Sequence, residues 1–575
     1  MIKKLMPFLA VIFIFSLAVF TACTEEKEKL VEIMVHDTLY VNVEIIPVII
    51  DDIEINPEMI SVGQSITLTT NITKESYVGD LIFTWRANGG TFNANVGDTV
   101  TWKSPDEAGT YTVSVTADDG AAYSGFGKRN IGVGMYAATA DTYYVGAMNC
   151  VGCHSGIRTE WAETGHAHAW ASLQTSDHAA SYCNPCHTVD FDQVPGNAGY
   201  DDAPIAKFEN VQCENCHGPS SFHPGSEGNP SISYKEDNCI TCHSGDHHPF
   251  EADWNASRHG VASTNHGSEN SRCQPCHSAS GFIAAYGGGV EFNSDDPGDI
   301  TCSACHDPHS AAIPYQVRTI ADVTSVEANR QTAVIKVSGN GQLCVQCHKA
   351  RRSADTEIEE GYEHFGPHAS PQGDMVYGVS GYEFYDVQFE GSFGGENTGH
   401  AVIEDACVTC HMYATPYPNA NTGHTFKANP AACAKCHGII DDFDDIQANH
   451  DFDGDGAVEG LQSEVTGLMT NIEVLLVAAG LDTVGHADIV EALGATMNDT
   501  LATGEPDPAA QELRRGGYNY AFVYDDKSLG IHNPTYTIQL LLYSQDYLEG
   551  LINGKGKSIR ETPMLSAHEK AIVPF

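Results

Sequence analysis

Basic residues are scarce in this 575-residue chain: 29 Lys and Arg stand against 76 Asp and Glu, a formal net charge of −47. So acidic a surface repels phosphate backbones and anionic headgroups, which excludes nucleic acid as a partner and favours solubility and cationic partners. Long apolar runs are missing after the first two dozen residues, so no later segment reads as a membrane span. From Thr24 to Asn149 there is no cysteine, and a sandwich built there has no disulfide across its sheets. Methionine is nearly absent between Cys150 and His450, where only Met375 and Met412 occur.

What is present begins with an export signal: Lys3 and Lys4, then the apolar run Leu9 to Phe20, then the small Ala22. Phe20-Thr21-Ala22-Cys23 resembles a bacterial lipobox. The resemblance implies cleavage before Cys23, lipidation there and a lipid anchor in a bacterial membrane. An ordinary signal peptide with an incidental cysteine is the other reading. Residues 1–22 are thus assigned to the signal peptide and 23–40 to a lipid-anchored linker that opens on the charged tether TEEKEK. The tether resembles the acidic stretch that sends some bacterial lipoproteins to the outer face of the outer membrane.

Residues 41–135 read as all-β. Ser65 to Thr70, Leu81 to Trp85 and Tyr111 to Thr116 alternate polar and apolar side chains between Gly-rich turns. FTWRANGGTF and VTWKSPDEAGTYTVSVTADDG resemble Ig-like and PKD-type domains. The resemblance implies a β-sandwich with Trp85 in its core, acting as a spacer or an adhesion module.

Residues 145–450 are rich in Gly, Pro, Asn, Asp, Cys and His and poor in periodic apolar segments, so they cannot build an ordinary core. Nine CxxCH pentapeptides run through them. They are CVGCH (Cys150, Cys153, His154), CNPCH (Cys183, Cys186, His187), CENCH (Cys213, Cys216, His217), CITCH (Cys239, Cys242, His243) and CQPCH (Cys273, Cys276, His277). CSACH (Cys302, Cys305, His306), CVQCH (Cys344, Cys347, His348), CVTCH (Cys407, Cys410, His411) and CAKCH (Cys433, Cys436, His437) complete the set. Two thiols three residues apart reach the two vinyl groups on one edge of a porphyrin, and the following His lies beneath the iron. Zinc or disulfides would use the cysteines but leave nine histidines in the fifth place unexplained. The motifs consume 18 of the 19 cysteines, and Cys23 is the other. The expectation is nine covalent haem c groups that themselves supply the apolar core.

Distal ligands are the next question. Trp161-x-x-Thr-x-His166 and Trp254-x-x-Ser-x-His259 repeat one unit. With the motifs, this unit resembles a superfamily containing nitrifier tetrahaem cytochromes, hydroxylamine oxidoreductase, pentahaem nitrite reductase and octahaem tetrathionate reductase. The resemblance implies that His166 and His259 are distal ligands, and that His309 of CHDPH serves a neighbouring haem. His266 and His400 each precede a motif by seven residues, and His424 lies in GHTF before the last. His532 in SLGIHNP resembles a ligand near the end of the nitrite reductase and octahaem enzymes. His178, His223, His248, His364, His368 and His450 are weaker candidates. So few methionines make bis-His ligation the rule.

Asp451, Asp453, Asp455, the Ala457 carbonyl and Glu459 occupy positions 1, 3, 5, 7 and 9 of an EF-hand pattern, with Gly456 at 6. Position 12 is Gln462 rather than Glu, so residues 451–462 read as a Ca²⁺ loop completed by Glu464 or a propionate, or as a plain acidic turn. Residues 463–575 show helical periods in VTGLMTNIEVLLVAAG and PTYTIQLLLYSQDYLEGLI. The fold class is therefore multidomain: an all-β Ig-like sandwich, a haem-packed domain with little regular structure, and an α-helical C-terminal segment.

Two functions follow. One is electron transfer by hopping between haems, serving redox partner proteins or extracellular acceptors. The other is reduction of a nitrogen or sulfur oxyanion (nitrite, hydroxylamine, tetrathionate) at one five-coordinate haem. The absence of CxxCK, which marks the reactive haem in most nitrite reductases, favours the first.

Overall fold

A computed structural model describes most of residues 29–554. Outside its description lie 1–28, 555–575 and several internal stretches, the longer ones being 73–80, 135–142, 192–198, 221–231, 261–270, 293–298 and 390–398. The signal peptide, Cys23, His178, His223 and His266 fall outside the described residues. The chain divides into two compact units. The first holds residues 1–149, 169–231 and 237–242, and the second holds 150–168, 232–236 and 243–575.

The first unit carries ten strands: β1 (Lys29–Val35), β2 (Leu39–Pro47), β3 (Ile50–Asn56), β4 (Ile60–Ser61), β5 (Ser65–Ile72), β6 (Ile82–Ala87), β7 (Thr91–Phe92), β8 (Thr99–Lys103), β9 (Gly109–Asp118) and β10 (Tyr123–Gly134). One sheet runs β1-β2-β10-β9-β6, with β4 beside β10, and the other runs β3-β5-β8-β7. Alternation drives the packing: Ile66 and Leu68 of β5 face inward, while Ser65 and Thr67 face solvent. Inward residues of both sheets form one apolar cluster around Trp85 and Trp102, at 1% and 0% exposure. Each indole N–H donates to a carbonyl, Trp85 to Gly97 at 2.8 Å and Trp102 to Gly89 at 3.0 Å, so neither buried ring leaves a donor unpaired. The stretch expected as a linker contains β1, which pairs antiparallel with β2 from Lys29 opposite Ile45 to Val35 opposite Leu39.

The CxxCH region carries short helices, most of them of one or two turns, separated by turns and irregular segments. The helical C-terminal segment is built from Leu461–Ala478, Ile489–Ala495, Pro508–Asp526 and Pro534–Ile552. The last two begin with Pro in the first turn, capped by the Asp507 and Asn533 side chains, which accept N–H from Ala509 and Tyr536. These helices share a core of Leu468, Ile472, Leu476, Phe522, Leu540 and Leu548, all at 0% exposure. Met375 lies in the same core. Among the described residues, no helix is long and apolar enough to cross a membrane.

Candidate haem centres

The motifs Cys213–His217 and Cys407–His411 are helical throughout, and Asn184–His187, Gln274–His277 and Ala434–His437 are single turns. One helical turn puts residues i and i+3 on the same face, so both thiols of a motif address one edge of a flat group.

Five proximal rings face a second imidazole from elsewhere in the chain. Ring centroids are 6.1 Å apart for His166 and His243, 6.2 Å for His259 and His348, and 6.3 Å for His306 and His424. The separations are 6.2 Å for His400 and His437, and 6.1 Å for His411 and His532. Imidazole binds a metal at about 2 Å and adds roughly 1 Å from nitrogen to ring centre, so two axial rings on one iron lie about 6 Å apart. Direct ring stacking would bring the centroids closer. The spacing therefore fits a metal held between the rings of each pair. Burial, with neighbouring imidazoles adding to it, pushes His243 and His259 down to about 4 and keeps both rings neutral, the form that binds metal.

The repeated Trp unit shows how two of these rings are presented. The Thr164 hydroxyl donates to the Trp161 carbonyl at 2.7 Å, and the Ser257 hydroxyl to the Trp254 carbonyl at 2.6 Å. Ser257 Oγ also accepts from the His259 N–H at 3.1 Å. Each hydroxyl ends its helix with a tight turn and projects the His that follows.

The second ring nitrogen of five of these histidines has a partner. Nδ1 donates to the Tyr315 carbonyl from His306 (2.9 Å), to the Phe426 carbonyl from His411 (3.0 Å) and to Gln372 Oε1 from His348 (3.0 Å). His424 Nδ1 lies 3.2 Å from Thr422 Oγ1, whose proton goes to Asp253 at 2.6 Å. His532 Nδ1 donates to Asp526 Oδ1 at 2.7 Å. Such bonds fix the tautomer and leave Nε2 free for metal. Neither Gln372 nor Asp526 carries a motif signal, and the sequence reading passed over both.

Residues 149–218 match the family model of cytochrome c554 and c-prime, and residues 288–550 match that of cytochrome c552. The chain is a multihaem cytochrome c. Its cofactor is covalently bound haem c, which the ring spacings fit. In structure the cytochrome is similar to the outer cell wall cytochrome OcwA, with 18% identity, a TM-score of 0.46, and 70% of this chain and 99% of that chain covered. It is also similar to an undecahaem cytochrome from the S-layer of Carboxydothermus ferrireducens, with 19% identity, a TM-score of 0.43, and 72% and 70% covered. A cytochrome c nitrite reductase from Desulfovibrio desulfuricans gives 15% identity, a TM-score of 0.24, and 53% and 70% covered. No curated protein matches the cytochrome by sequence.

Neighbouring sites of the cytochrome share borders. In the second unit the Cys276 thiol meets Cys347, and Cys344 meets Cys407. Cys344 also lies near Cys305, Cys410 near Cys433, and His243 near His306 and His424. In the first unit Cys186 meets Cys242. Of the distal candidates, His166, His259, His400, His424 and His532 face proximal rings, and His248 also lies against the His243 ring, 5.7 Å between centroids. His309 instead lies beside Asp307, with Nδ1 3.4 Å from Oδ1.

In the acidic loop, carboxylates of Asp451, Asp453 and Glu464 lie within 4.8 Å of one another, as do those of Asp453, Asp455 and Glu459. Asp451 accepts N–H from Gly454 and Gly456, and Glu464, fully buried, accepts from Phe452 at 2.7 Å and Glu459 at 3.0 Å. The charge of Asp455, then burial, holds the Glu459 carboxyl above its usual range. Gln462 is engaged elsewhere, donating to the Ser528 carbonyl at 3.0 Å.

Proposed function

We propose that this cytochrome carries electrons along a chain of nine haem c groups, one on each CxxCH motif, between redox partner proteins or toward an extracellular acceptor. When bound, haem c supplies an iron couple that gains and loses one electron. The protein's residues supply position and environment. His166 with His243, His259 with His348, His306 with His424, His400 with His437, and His411 with His532 are the residues that would hold five of these groups and leave no position there for an exogenous ligand. Thiols of different motifs in contact bring the edges of adjacent groups together, as outer-sphere transfer requires. The observation that carries the reading is the ring-pair spacing of 6.1 to 6.3 Å at five separate motifs.

The same reading includes an exported protein anchored through lipidated Cys23, an Ig-like spacer over residues 41–135, and structural Ca²⁺ at Asp451, Asp453, Asp455, Ala457 and Glu459, with Glu464 in the shell. The reductase alternative requires a vacant axial position at one haem. Carbon monoxide addition to the dithionite-reduced protein separates the two. Little spectral change and fast, unselective electron delivery to ferric chelates are expected. Stoichiometric carbon monoxide binding with saturable turnover of nitrite, hydroxylamine or tetrathionate would replace this reading with the reductase.

A further inference from the structure

Asp526 is the last residue of the helix Pro508–Asp526 and is 1% exposed. Two physical effects oppose a carboxylate there. Burial removes its water, and the C-terminal end of a helix carries partial negative charge. Among the described residues, its one ion-pair partner is His532, 2.7 Å away. Its other hydrogen bonds come from Ser528, through the hydroxyl and through the backbone N–H at 3.3 Å. The adjacent Lys527 is turned away, its ammonium 3.8 Å from the centre of the Tyr524 ring. A neutral imidazole would leave this buried charge poorly balanced. A ferric centre held by the ring would balance it, because oxidation adds the positive charge that the ferrous state lacks.

The contrast with the other ligands is chemical. His306 and His411 donate to backbone carbonyls, His348 to an amide and His424 to a hydroxyl. His400 bonds the backbone at Ile531 and His532, and His166 bonds it at Pro308. All of these acceptors are neutral. A full charge on Nδ1–H gives its ring the most imidazolate character, and a more basic ligand favours the ferric state.

We infer that Asp526 gives the site of Cys407, Cys410, His411 and His532 the lowest reduction potential of the five ring-paired sites. The inference rests on the haem reading above. Its place in the fold gives it a role. Cys407 meets Cys344 on one side, while Cys410 lies near Cys433 on the other. An electron moving between the sites at 344–348 and 433–437 by this route meets an uphill step, set by one carboxylate. In the turn that carries His532, Lys527, Leu529 and Gly530 all adopt positive φ (67°, 48° and 92°).

Potentiometric titration of the whole protein, followed by EPR of the low-spin haems, tests the proposal. Asp526→Asn keeps the shape and removes the charge. The step of the haem that His532→Ala converts to high spin should move positive by a tenfold or greater loss of ferric preference, about 59 mV for one electron, and Asp526→Glu should recover most of it. His532→Ala, with Asp526 retained, identifies the step independently: among the low-spin signals that His166→Ala, His259→Ala, His400→Ala, His424→Ala and His532→Ala each abolish, the one lost in His532→Ala should be the most negative in the wild type. Unchanged potentials in Asp526→Asn, or a more negative potential at any of the other four ring-paired sites, would overturn the proposal. An unchanged low-spin count in His532→Ala would overturn it together with the ring pairing beneath it, which distinguishes the two failures.

Discussion

Glu214, inside the motif Cys213–His217, is 2% exposed and works as a backbone clamp. Its oxygens accept N–H from Val145 at 3.0 Å, Gly146 at 2.7 Å and Ser220 at 2.8 Å. Glu214→Ala strands these three donors. Hydrogen bonds to a charged group contribute roughly 1.5–3 kcal/mol each, so the gross loss is several kcal/mol. The carboxylate's own desolvation offsets part of it: burial holds the Glu214 pKa above the usual range despite all three bonds. A net local loss of about 3 kcal/mol remains. At 1.4 kcal/mol per tenfold, amide exchange at Val145 and Gly146 should accelerate roughly a hundredfold. Hydrogen-exchange mass spectrometry reads this directly, and Glu214→Gln, which keeps one acceptor oxygen, should fall between. Exchange at these amides unchanged in Glu214→Ala, or equal in the two variants, would refute the reasoning.

Asp374 is fully buried, and burial pushes its carboxyl up to about 6 against the opposing bonds from Ser380 and the Ala350 N–H. An acid raised in the folded state contributes stability that is complete below its unfolded pKa and lost as pH rises through the folded value. Thermal unfolding should therefore show about 2 kcal/mol more loss of stability from pH 4 to 7 in the wild type than in Asp374→Asn, and parallel profiles would contradict it. At Gly516, an added Cβ would collide with the fully buried Leu548 of the last helix. Overpacking costs about 1–3 kcal/mol and helix propensity returns at most about 1, so Gly516→Ala should lower the melting temperature; a rise would show that the helices can separate freely.

Covalent attachment is local chemistry, so every CxxCH was legible from spacing alone. His166, His259, His400, His424 and His532, which the fold places against proximal rings, were legible as candidates, from a repeated Trp unit, positions before motifs and the SLGIHNP phrase. Their pairing was not legible, because His532 meets His411 and His424 meets His306 only through tertiary packing. The helix Pro508–Asp526 escaped the periodicity reading because Arg514, Arg515, Gly516 and Gly517 interrupt its apolar pattern. Arg514 is nonetheless 1% exposed, its guanidinium donating to the carbonyls of Ile358, Thr496 and Glu359. Trp85 was expected inside the β region and lies there, while Trp102, equally buried, was not singled out. Asp526 and Gln372 could not be found from sequence, since each acts only through a ring brought to it by the fold.

The central claim is that each of the five imidazole pairs grips one haem from both faces. EPR spin quantification of the oxidised protein, repeated for His166→Ala, His259→Ala, His400→Ala, His424→Ala and His532→Ala, tests it most directly, with intact mass confirming that haem content is unchanged. Each variant should convert one low-spin haem to high spin and leave the others alone. A variant with full haem content and an unchanged low-spin count would contradict the pairing at that site.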